Sequence, residues 1–364
     1  MERVPTVFQV KRIFQPILAV ALGLIVGLAA TWVAGENPWH VLKILAKGAF
    51  GSGYDFGMTL FYTTPLIFTG LSVAVAFQAG LFNIGAEGQL TLGALAAATV
   101  GAVWPGLWWP LAPVTAGLAA LAAGTIWGAI PGWLRARRGS HEVINTIMLN
   151  FVAAGLASYV ALYVIRNPES QNPETRPIGA GYCLTQFKTF GGAPVSAALP
   201  LALLAAVAVW FIMRRTVLGF EIRAVGQSES AARAAGIDPG RIRIIAMSLA
   251  GGLAGLVGVG EVLGNAGNFR VGFSPEYGFM GIAVALLGRN QPAGIVAAAL
   301  LFGALHKGTA ELDLETEHVT REVSLVFQAL IILSVSAEGV WYWMRGRKQD
   351  GKGVKGVKEV KAVT

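Results

Sequence analysis

The chain has 364 residues, and only 13% of them are charged while 54% are hydrophobic. Soluble globular domains carry about 25% charged residues, so this composition excludes a water-exposed globular protein and indicates an integral membrane protein. The net charge is +8, and the basic residues are scattered between apolar runs. This distribution favours basic loops beside a membrane over nucleic-acid binding. The single cysteine, Cys183, excludes an internal disulfide and a cysteine-based zinc cluster.

The hydrophobic pattern predicts an all-α, polytopic fold with about ten membrane-spanning helices, since one crossing takes roughly 20 apolar residues. The predicted spans are residues 14–35, 57–80, 87–105, 108–133, 143–165, 195–213, 243–263, 277–289, 292–310 and 323–344. The first is too long for a signal peptide, which predicts an uncleaved span. The eighth is too short for a straight crossing, which predicts a half-helix beside irregular backbone inside the protein.

Lysine and arginine are distributed unevenly between the two sides of this predicted arrangement. With the N-terminus inside, the inner segments hold 20 of the 28 basic residues and the outer segments hold 8. The positive-inside rule therefore predicts that both termini are cytoplasmic, which requires an even number of spans. We expect one membrane domain over residues 1–345 and a basic, disordered cytoplasmic tail over residues 346–364.

Two predicted outer loops are long. Residues 166–194 are rich in Pro, Asn and Gly, which predicts an ordered or semi-ordered cap over the outer mouth. Residues 311–322 are acidic and are interpreted either as a docking surface or as a solvated loop.

Residues 79–85 (AGLFNIG) and 266–272 (AGNFRVG) resemble each other. The predicted topology puts the first copy near the inner face and the second near the outer face, as in the inverted repeats of transporters. A chance match in a chain rich in Gly and Ala is the alternative interpretation.

The segment NIGAEGQ at residues 83–89 places Asn83, Glu87 and Gln89 between two apolar runs. A carboxylate is costly in hydrocarbon, so an intramembrane glutamate is a functional hypothesis by default. Gly85 and Gly88 allow a break between helices. One interpretation is a polar element of a translocation path. The other is a helix N-terminus at the inner interface, where the helix dipole favours Glu87.

Three further polar residues in the predicted spans are candidates for the same path. Asn145 and Asn150 lie in the fifth span and Glu261 in the seventh. Glu261 alternatively lies near the outer end of its span and reaches water.

The longest predicted inner loop, residues 214–243, contains a short capped helix. Ser228 is a good N-cap, an alanine-rich run follows it, and Gly236 is a natural C-cap. Such a helix is either a docking element for a soluble partner or an ordinary connection. The candidate docking residues are Ser228, Glu229, Ala231, Ala232, Arg233, Ala235 and Gly236.

Three kinds of catalytic site are missing from the sequence. His141 and Glu142 begin no zinc-protease motif, because Asn145 occupies the position of the second histidine. The chain has four histidines and one cysteine, so we predict no metal and no cofactor. It also contains no Walker phosphate-binding loop, so it does not hydrolyse ATP through one.

Five segments in the same order resemble the permease family of ATP-binding-cassette importers for sugars, nucleosides and branched-chain amino acids. They are residues 83–89, 140–150, 231–237, 273–279 and 281–289 with the following Pro292. The strongest likeness is to the longer permease subunit of bacterial nucleoside importers. In that resemblance, the helix at residues 231–237 sits in a groove of the ATPase.

The resemblance implies a multi-pass protein of the cytoplasmic membrane that moves a nucleoside or related small polar solute inward. It also implies partners: ATPase domains on the inner face, a second permease subunit, and a substrate-binding lipoprotein on the outer face. A sugar or branched-chain amino-acid permease of the same family is the alternative, and a stand-alone ion-coupled transporter is a further one.

The cargo expectation has weaker support from the residues themselves, because amides and aromatic rings suit sugars as well as nucleosides. A nucleotide is disfavoured, since the predicted spans contain no cluster of basic residues to offset phosphate. The aromatic and amide candidates are Phe61, Tyr62, Phe68, Phe77, Gln78, Phe82, Asn83, Gln89, Asn145 and Asn150.

Overall fold

The computed structural model describes residues 6–316, 325–331 and 333, and all regular structure in these ranges is helical. This confirms the all-α prediction. The α-helices are α1 (Thr6–Val33), α2 (Pro38–Phe50), α3 (Gly53–Gln78), α4 (Ala86–Val103), α5 (Leu111–Arg138), α6 (Glu142–Tyr159), α7 (Ala198–Arg215), α8 (Val217–Gln227), α9 (Glu229–Ala234), α10 (Pro239–Gly255), α11 (Tyr277–Leu287), α12 (Pro292–Ala310) and α13 (Leu312–Glu315). Short π-helical segments, Val160–Val164 and Val259–Ala266, extend α6 and follow α10.

Six helical segments in the described ranges are long and apolar enough to cross a membrane. They are Gly53–Gln78, Leu111–Arg138, Glu142–Val164, Ala198–Arg215, Pro239–Ala266 and Pro292–Ala310. Leu18–Val33 and Tyr277–Leu287 are shorter apolar helices. The total of ten spans stays a prediction, because most of the predicted span at 323–344 and all of the tail at 346–364 lie outside the described residues.

Helix α2 lies where the sequence analysis placed a loop. The side chain of Asn37 accepts a hydrogen bond from the Trp39 N–H at 2.9 Å, so it caps the helix. Val41, Ile44 and Leu45 are buried at helical spacing, while the lysines of α2 stay on its exposed side. A 13-residue amphipathic helix is too short and too polar for a span-length hydrophobicity search to find.

Helices α5 and α10 cross in close backbone contact at a row of glycines. A Cβ built on Gly251 would lie 2.2 Å from the carbonyl oxygen of Gly124, and one on Gly255 would lie 2.4 Å from that of Ala120. Small residues let helix backbones approach closely in membranes, where dispersion contacts rather than water exclusion drive association. These glycines therefore fix the crossing of the two helices.

Helix α3 is the centre of the bundle. It packs against α7, α10, α11 and α12, and most of its length is buried. The hydroxyls of its buried threonines bond to carbonyls of α3 or of the end of α2, as Thr63 does to Thr59 at 2.7 Å. This leaves α3 free of unpaired polar groups where α11 begins beside it.

Residues 166–194, which precede α7, are ordered by hydrogen bonds to the backbone that follows the π-helical segment Val259–Ala266. The Thr175 N–H donates to the Phe269 carbonyl at 2.9 Å, and the Ile178 N–H donates to Gly267 at 2.8 Å. This confirms that the loop is ordered. The second repeat copy, residues 266–272, thus lies near the N-terminal end of α7.

The first repeat copy, residues 79–85, lies near the C-terminal end of α7. Gly80 has a positive φ of 71°, and a Cβ built there would lie 3.3 Å from the Cα of Gly226 in α8. The two copies therefore occupy opposite ends of the bundle, as an inverted repeat requires. The repeat itself stays a prediction.

We predict that Gly251→Leu lowers the thermal unfolding midpoint of the purified chain, because its side chain has no space against the Gly124 backbone. Overpacking of this kind costs about 1–3 kcal/mol or more. Gly155→Leu is the matched control, since Gly155 is exposed in α6 with nothing within 4 Å of a built Cβ. Equal midpoints for the two variants would contradict the assignment of α5–α10 as a close crossing.

Candidate functional site

A buried amide pair lies at the break between α3 and α4. Asn83 Nδ2 donates to Gln89 Oε1 at 2.8 Å, and Gln89 Nε2 donates back to Asn83 Oδ1 at 3.0 Å. Asn83 Nδ2 also lies 3.1 Å from Ser72 Oγ of α3. Asn83 and Gln89 are fully buried and satisfy each other's amide groups. The pair holds the irregular segment against α3.

Asn150 from α6 completes the start of α4. Its Oδ1 accepts from the Gly88 N–H at 2.8 Å, and its Nδ2 donates to the Ile84 carbonyl at 3.0 Å. Gly85, the N-cap residue of α4, supplies no side-chain bond. A side chain from another helix therefore satisfies backbone groups that a helix start leaves unpaired.

Glu87 caps a second helix. Its Oε2 accepts from the Gly278 N–H, in the first turn of α11, at 2.7 Å, and the Ser274 side chain also bonds to this carboxylate. The two helix starts are in direct contact, because a Cβ on Gly278 would lie 2.3 Å from the Glu87 nitrogen. Glu87 thus belongs to the first turn of α4 and binds at the N-terminus of α11, where both helix dipoles favour a negative charge.

This junction lies inside the bundle. A Cβ on Gly281, one turn into α11, would lie 2.6 Å from Thr69 in the middle section of α3. Glu87 lies in the first turn of α4, as the helix N-terminus interpretation of residues 83–89 expects, and the translocation-path interpretation stays a prediction. The prediction of a half-helix beside irregular backbone is confirmed, since α11 has 11 residues and follows a segment with left-handed Gly272 and Glu276.

Glu261 reaches the same helix start from the other side. It lies in the π-helical segment Val259–Ala266, and its carboxylate lies beside the Tyr277 and Asn265 side chains. Its Oε1 is buried and has no hydrogen-bond partner among the residues that the structure describes. Glu261 lines a small cleft with Phe61, Thr64, Pro65 and Ser196. The interpretation that Glu261 reaches water at the end of a span is wrong, because the residue is 8% exposed.

The structure therefore brings five of the six predicted path residues to one region around the starts of α4 and α11. Four of them are Asn83, Glu87, Gln89 and Asn150, and the fifth, Glu261, joins them through Tyr277. Asn145 is not among them: its Nδ2 donates to Ser140 Oγ at 2.7 Å at the start of α6. The sequence analysis missed Tyr277 and Ser274 as site residues. Nothing in their spacing links them to Glu87, about 190 positions earlier, or to Glu261, about 15 positions earlier.

The aromatic candidates are spread through the bundle. Phe68 is fully buried in the main core, and Phe77 packs edge-to-face on Phe82 at 4.9 Å between centroids. Tyr62 packs against His306 of α12 at 4.4 Å between ring centroids. Phe61 alone of this set lines the cleft beside Glu261.

An ion cluster joins α3 and α12 near the end of the bundle that carries α13. Lys307 Nζ lies 3.1 Å from Asp55 Oδ1 and 2.5 Å from Glu311 Oε1, and the lysine side chain is 8% exposed. Lys307 lies in the last turn of α12, within the predicted span at residues 292–310. The i,i+4 spacing of Lys307 and Glu311 was the available signal.

The predicted capped helix in the inner loop is α9. Its N-cap Ser228 accepts from the Ala231 N–H at 3.3 Å, and Gly236 is left-handed with a φ of 81°. Glu229 accepts from Arg233 and from Arg243 of α10, both at 2.7 Å. The Glu229–Arg243 pair attaches α9 to the first turns of α10.

Hydrogen bonds from Arg243 and then Arg233 lower the pKa of Glu229 below its ordinary value. A depressed folded-state pKa stabilises the folded state above the unfolded value of about 4.3, and that stabilisation is lost as the pH falls through the lowered pKa. The attachment is therefore intact at neutral pH.

One predicted docking residue is used inside the chain instead. Ala232 is 2% exposed and belongs to the main core cluster, so its side chain is not available to a partner. Ala231 and Ala235 are exposed on the other side of α9. The helix period explains the difference, because residues three and four apart share a face, so Ala231 and Ala235 lie together while Ala232 lies on the face toward the core.

In the described part of the chain, no group of three or more His, Cys, Asp or Glu residues is arranged to hold a metal ion. The junction instead offers carboxylates, amides, a hydroxyl and two helix N-termini. Such groups suit a neutral solute with several hydrogen-bonding atoms.

Comparison with known proteins gives a consistent set of relatives. Residues 56–336 match the family described as branched-chain amino acid transport system / permease component. The guanosine ABC transporter permease protein of Bacillus subtilis is 37% identical over 92% of this chain and 97% of its own length. The glucose ABC transporter permease protein of Haloferax volcanii is 35% identical over 87% of this chain and 85% of its own length. No solved structure shows a significant match.

Two nucleoside ABC transporter permease proteins of Lactococcus lactis are also similar to this chain. One is 34% identical over 90% of this chain and 92% of its own length. The other is 25% identical over 67% of this chain and 78% of its own length.

We predict that Glu87→Leu destabilises the chain by about 1–3 kcal/mol, the cost of leaving the buried Gly278 N–H without an acceptor. Glu87→Gln keeps an acceptor and loses the charge, so it should retain the wild-type unfolding midpoint. The measurement is thermal unfolding of both variants in detergent. If Glu87→Leu unfolds at the wild-type temperature, the capping role of Glu87 is wrong.

Proposed function

Because the chain belongs to the branched-chain amino acid transport system / permease component family, we propose that it carries a nucleoside or related base-containing solute inward. The coarser role follows from family membership. The chain is a multi-pass permease component of an ATP-binding-cassette importer in the cell membrane, and it is not itself the catalytic subunit. The stand-alone ion-coupled transporter is thereby set aside.

The observation that supports a translocation role for the site is the meeting of α4 and α11 inside the bundle. Discontinuous helices whose N-termini lie at membrane depth commonly form the substrate sites of transporters. We propose that Glu87, Glu261 and the amides Asn83, Gln89 and Asn150 belong to the path, with Tyr277 as an added member. Asn145 stays a candidate without a contact to this region.

The chemistry of the junction supports a neutral cargo. Two carboxylates lie at the start of α11, so a phosphorylated solute would meet like charge there. A nucleoside presents hydroxyl and amino donors to carboxylate oxygens, and Glu261 Oε1 has no protein partner. The guanosine and nucleoside permeases among the relatives support the same cargo class.

A sugar is the second candidate cargo. The glucose permease of Haloferax volcanii is nearly as similar to this chain as the guanosine permease, and hydroxyl donors alone satisfy the same carboxylates and amides. The site itself therefore allows both cargoes, and only uptake distinguishes them.

The family implies ATPase and substrate-binding-protein partners. We propose that the pore is completed by a second permease, since Lactococcus lactis has two nucleoside permease proteins that both resemble this chain. We further propose that α9 docks on the ATPase, and that both termini are cytoplasmic.

The proposed topology predicts that reporter fusions at residues 180 and 228 report opposite sides of the membrane. The two positions flank α7, a helix long enough to cross once. Alkaline phosphatase and green fluorescent protein fusions measure this directly. Finding both positions on the same side would refute the topology.

For coupling, we predict that Ala235→Arg lowers substrate-stimulated ATP hydrolysis of the assembled importer by more than about tenfold, or about 1.4 kcal/mol. A long charged side chain on the exposed face of α9 holds the helix out of a groove, whereas Ala235→Ser fits and serves as control. Ala232→Arg is unsuitable because it disrupts this chain's own core. Normal hydrolysis by the Ala235→Arg complex would rule out docking through that face.

For cargo, we predict that the importer reconstituted with its binding protein takes up labelled guanosine or adenosine, and that ribose, glucose and leucine do not compete. ATP-dependent accumulation in vesicles measures this. Uptake of glucose, ribose or leucine without competition by any nucleoside would overturn the nucleoside assignment and leave the importer role intact.

A further inference from the structure

The hairpin, residues 186–196, doubles back on itself just before α7. The turn lies at Gly191 and Gly192, which have positive φ values of 60° and 89°. The two arms meet where the Phe187 N–H donates to the Val195 carbonyl at 2.8 Å. Left-handed backbone costs glycine little and other residues more, so the sequence itself specifies this turn.

The hairpin lies against the first part of α3. A Cβ built on Gly57 would lie 2.6 Å from the Ala193 Cβ and 2.7 Å from the Phe190 Cβ, so the contact at this glycine is close and apolar. Within the described ranges, no hydrogen bond joins the hairpin to α3. On its other side, Gln186 Nε2 donates to the Gly264 carbonyl of the π-helical segment at 2.9 Å. The hairpin is therefore tied on one side only, and its α3 side can separate without breaking a hydrogen bond.

The hairpin also covers the cleft beside Glu261. Its last residues, Pro194, Val195 and Ser196, line one side of this cleft, and Phe61 of α3 lines another. The volume of the cleft is about 10 Å³, which is room for about one water molecule. A sugar or a nucleoside therefore does not reach the Glu261 carboxylate through this cleft while the hairpin is in place.

The order of contacts along α3 places the hairpin between the start of that helix and the α4–α11 junction. Gly57 contacts the hairpin, Phe61 and Thr64 line the cleft, and Thr69 contacts Gly281 of α11. At 1.5 Å per residue, Gly57 and Thr69 lie about 18 Å apart along the helix. The proposed topology puts the start of α3 on the outer side. A solute that moves inward along this side of α3 thus meets the hairpin before the junction.

We propose that the hairpin is the outer gate of the solute path to Glu261. The gate is closed in this conformation, and it opens when the hairpin separates from Gly57 and Phe61 while Gln186 keeps it on the π-helical segment. Loops that close over a site in this way control entry and exclude water. The inference rests on the proposed path and topology, and it adds the residues that control entry from outside.

The first test locks the gate with a disulfide in the assembled importer, reconstituted in vesicles with its partners. Cys183 is the only cysteine of the chain and is exposed, so Cys183→Ser gives a cysteine-free background. Gly57→Cys with Ala193→Cys ties the hairpin to α3. Gly101→Cys with Ile178→Cys is the matched control, because it ties an earlier part of the same loop to α4. A Cβ built on Gly101 would lie 2.7 Å from the Ile178 Cβ, nearly the same distance as in the test pair.

We expect oxidation of the Gly57/Ala193 pair to lower ATP-dependent uptake of labelled guanosine at least about tenfold, and dithiothreitol to restore it. Oxidation of the Gly101/Ile178 pair should leave uptake within about twofold of the wild type. Equal uptake before and after oxidation of the Gly57/Ala193 pair, with the disulfide confirmed by mass spectrometry, overturns the gate. Labelled glucose is measured in parallel. A wild type that takes up glucose alone refutes the nucleoside cargo, and the lock is then read on glucose.

The second test decides the question where the reduced Gly57/Ala193 variant is inactive or its disulfide does not form. Ser196→Cys puts a thiol under the hairpin, where Ser196 is 4% exposed, and Thr189→Cys puts one on its exposed surface as the control. A membrane-impermeant thiol reagent is added on the side of the binding protein. It should label Ser196→Cys at least about tenfold faster during ATP turnover than at rest, and Thr189→Cys equally in both conditions. A labelling rate of Ser196→Cys that does not rise during turnover overturns the proposal.

Discussion

The central constraint on this fold is that α4 and α11 both begin inside the bundle, where water cannot complete the hydrogen bonds of a helix start. Four backbone N–H groups at each helix N-terminus lack partners within the helix, and hydrocarbon offers none. Asn150 supplies an acceptor at α4, and Glu87 supplies one at α11. The positions of α6 and α3, the irregular segments before both helices, and the buried carboxylates around them all follow from meeting this requirement.

Much of this arrangement was predictable from residues 83–89 and 277–289. An acidic residue flanked by glycines between apolar runs indicated a helix break, and a short apolar run indicated a half-helix. That the two breaks meet was not predictable, because the Glu87–Gly278 bond joins positions 191 apart with no periodicity to link them. The same holds for Glu261 and Tyr277, whose contact depends on the packing of α10 and α11 on α3.

Local chemistry was predicted more reliably than burial. The caps of α9 at Ser228 and Gly236 are where turn and capping preferences place them, whereas the burial of Ala232 was not predicted, because the packing partner of α9 was unknown. Helix α2 was not predicted, because a search for long apolar runs overlooks a short amphipathic helix. The enclosure of Lys307 by two carboxylates was not predicted either, because it depends on how α3 packs against α12.

The helical run Pro239–Ala266 has a mechanical consequence. Near its start, Arg243 holds Glu229 of α9, and about 27 Å along its axis, at 1.5 Å per residue, Glu261 contacts the start of α11. Its glycines are interlocked with the backbone of α5, so the run cannot slide or rotate independently of its neighbour. We therefore expect a displacement of α9 to move this run together with α5 as one unit, and so to reach Glu261 beside the start of α11.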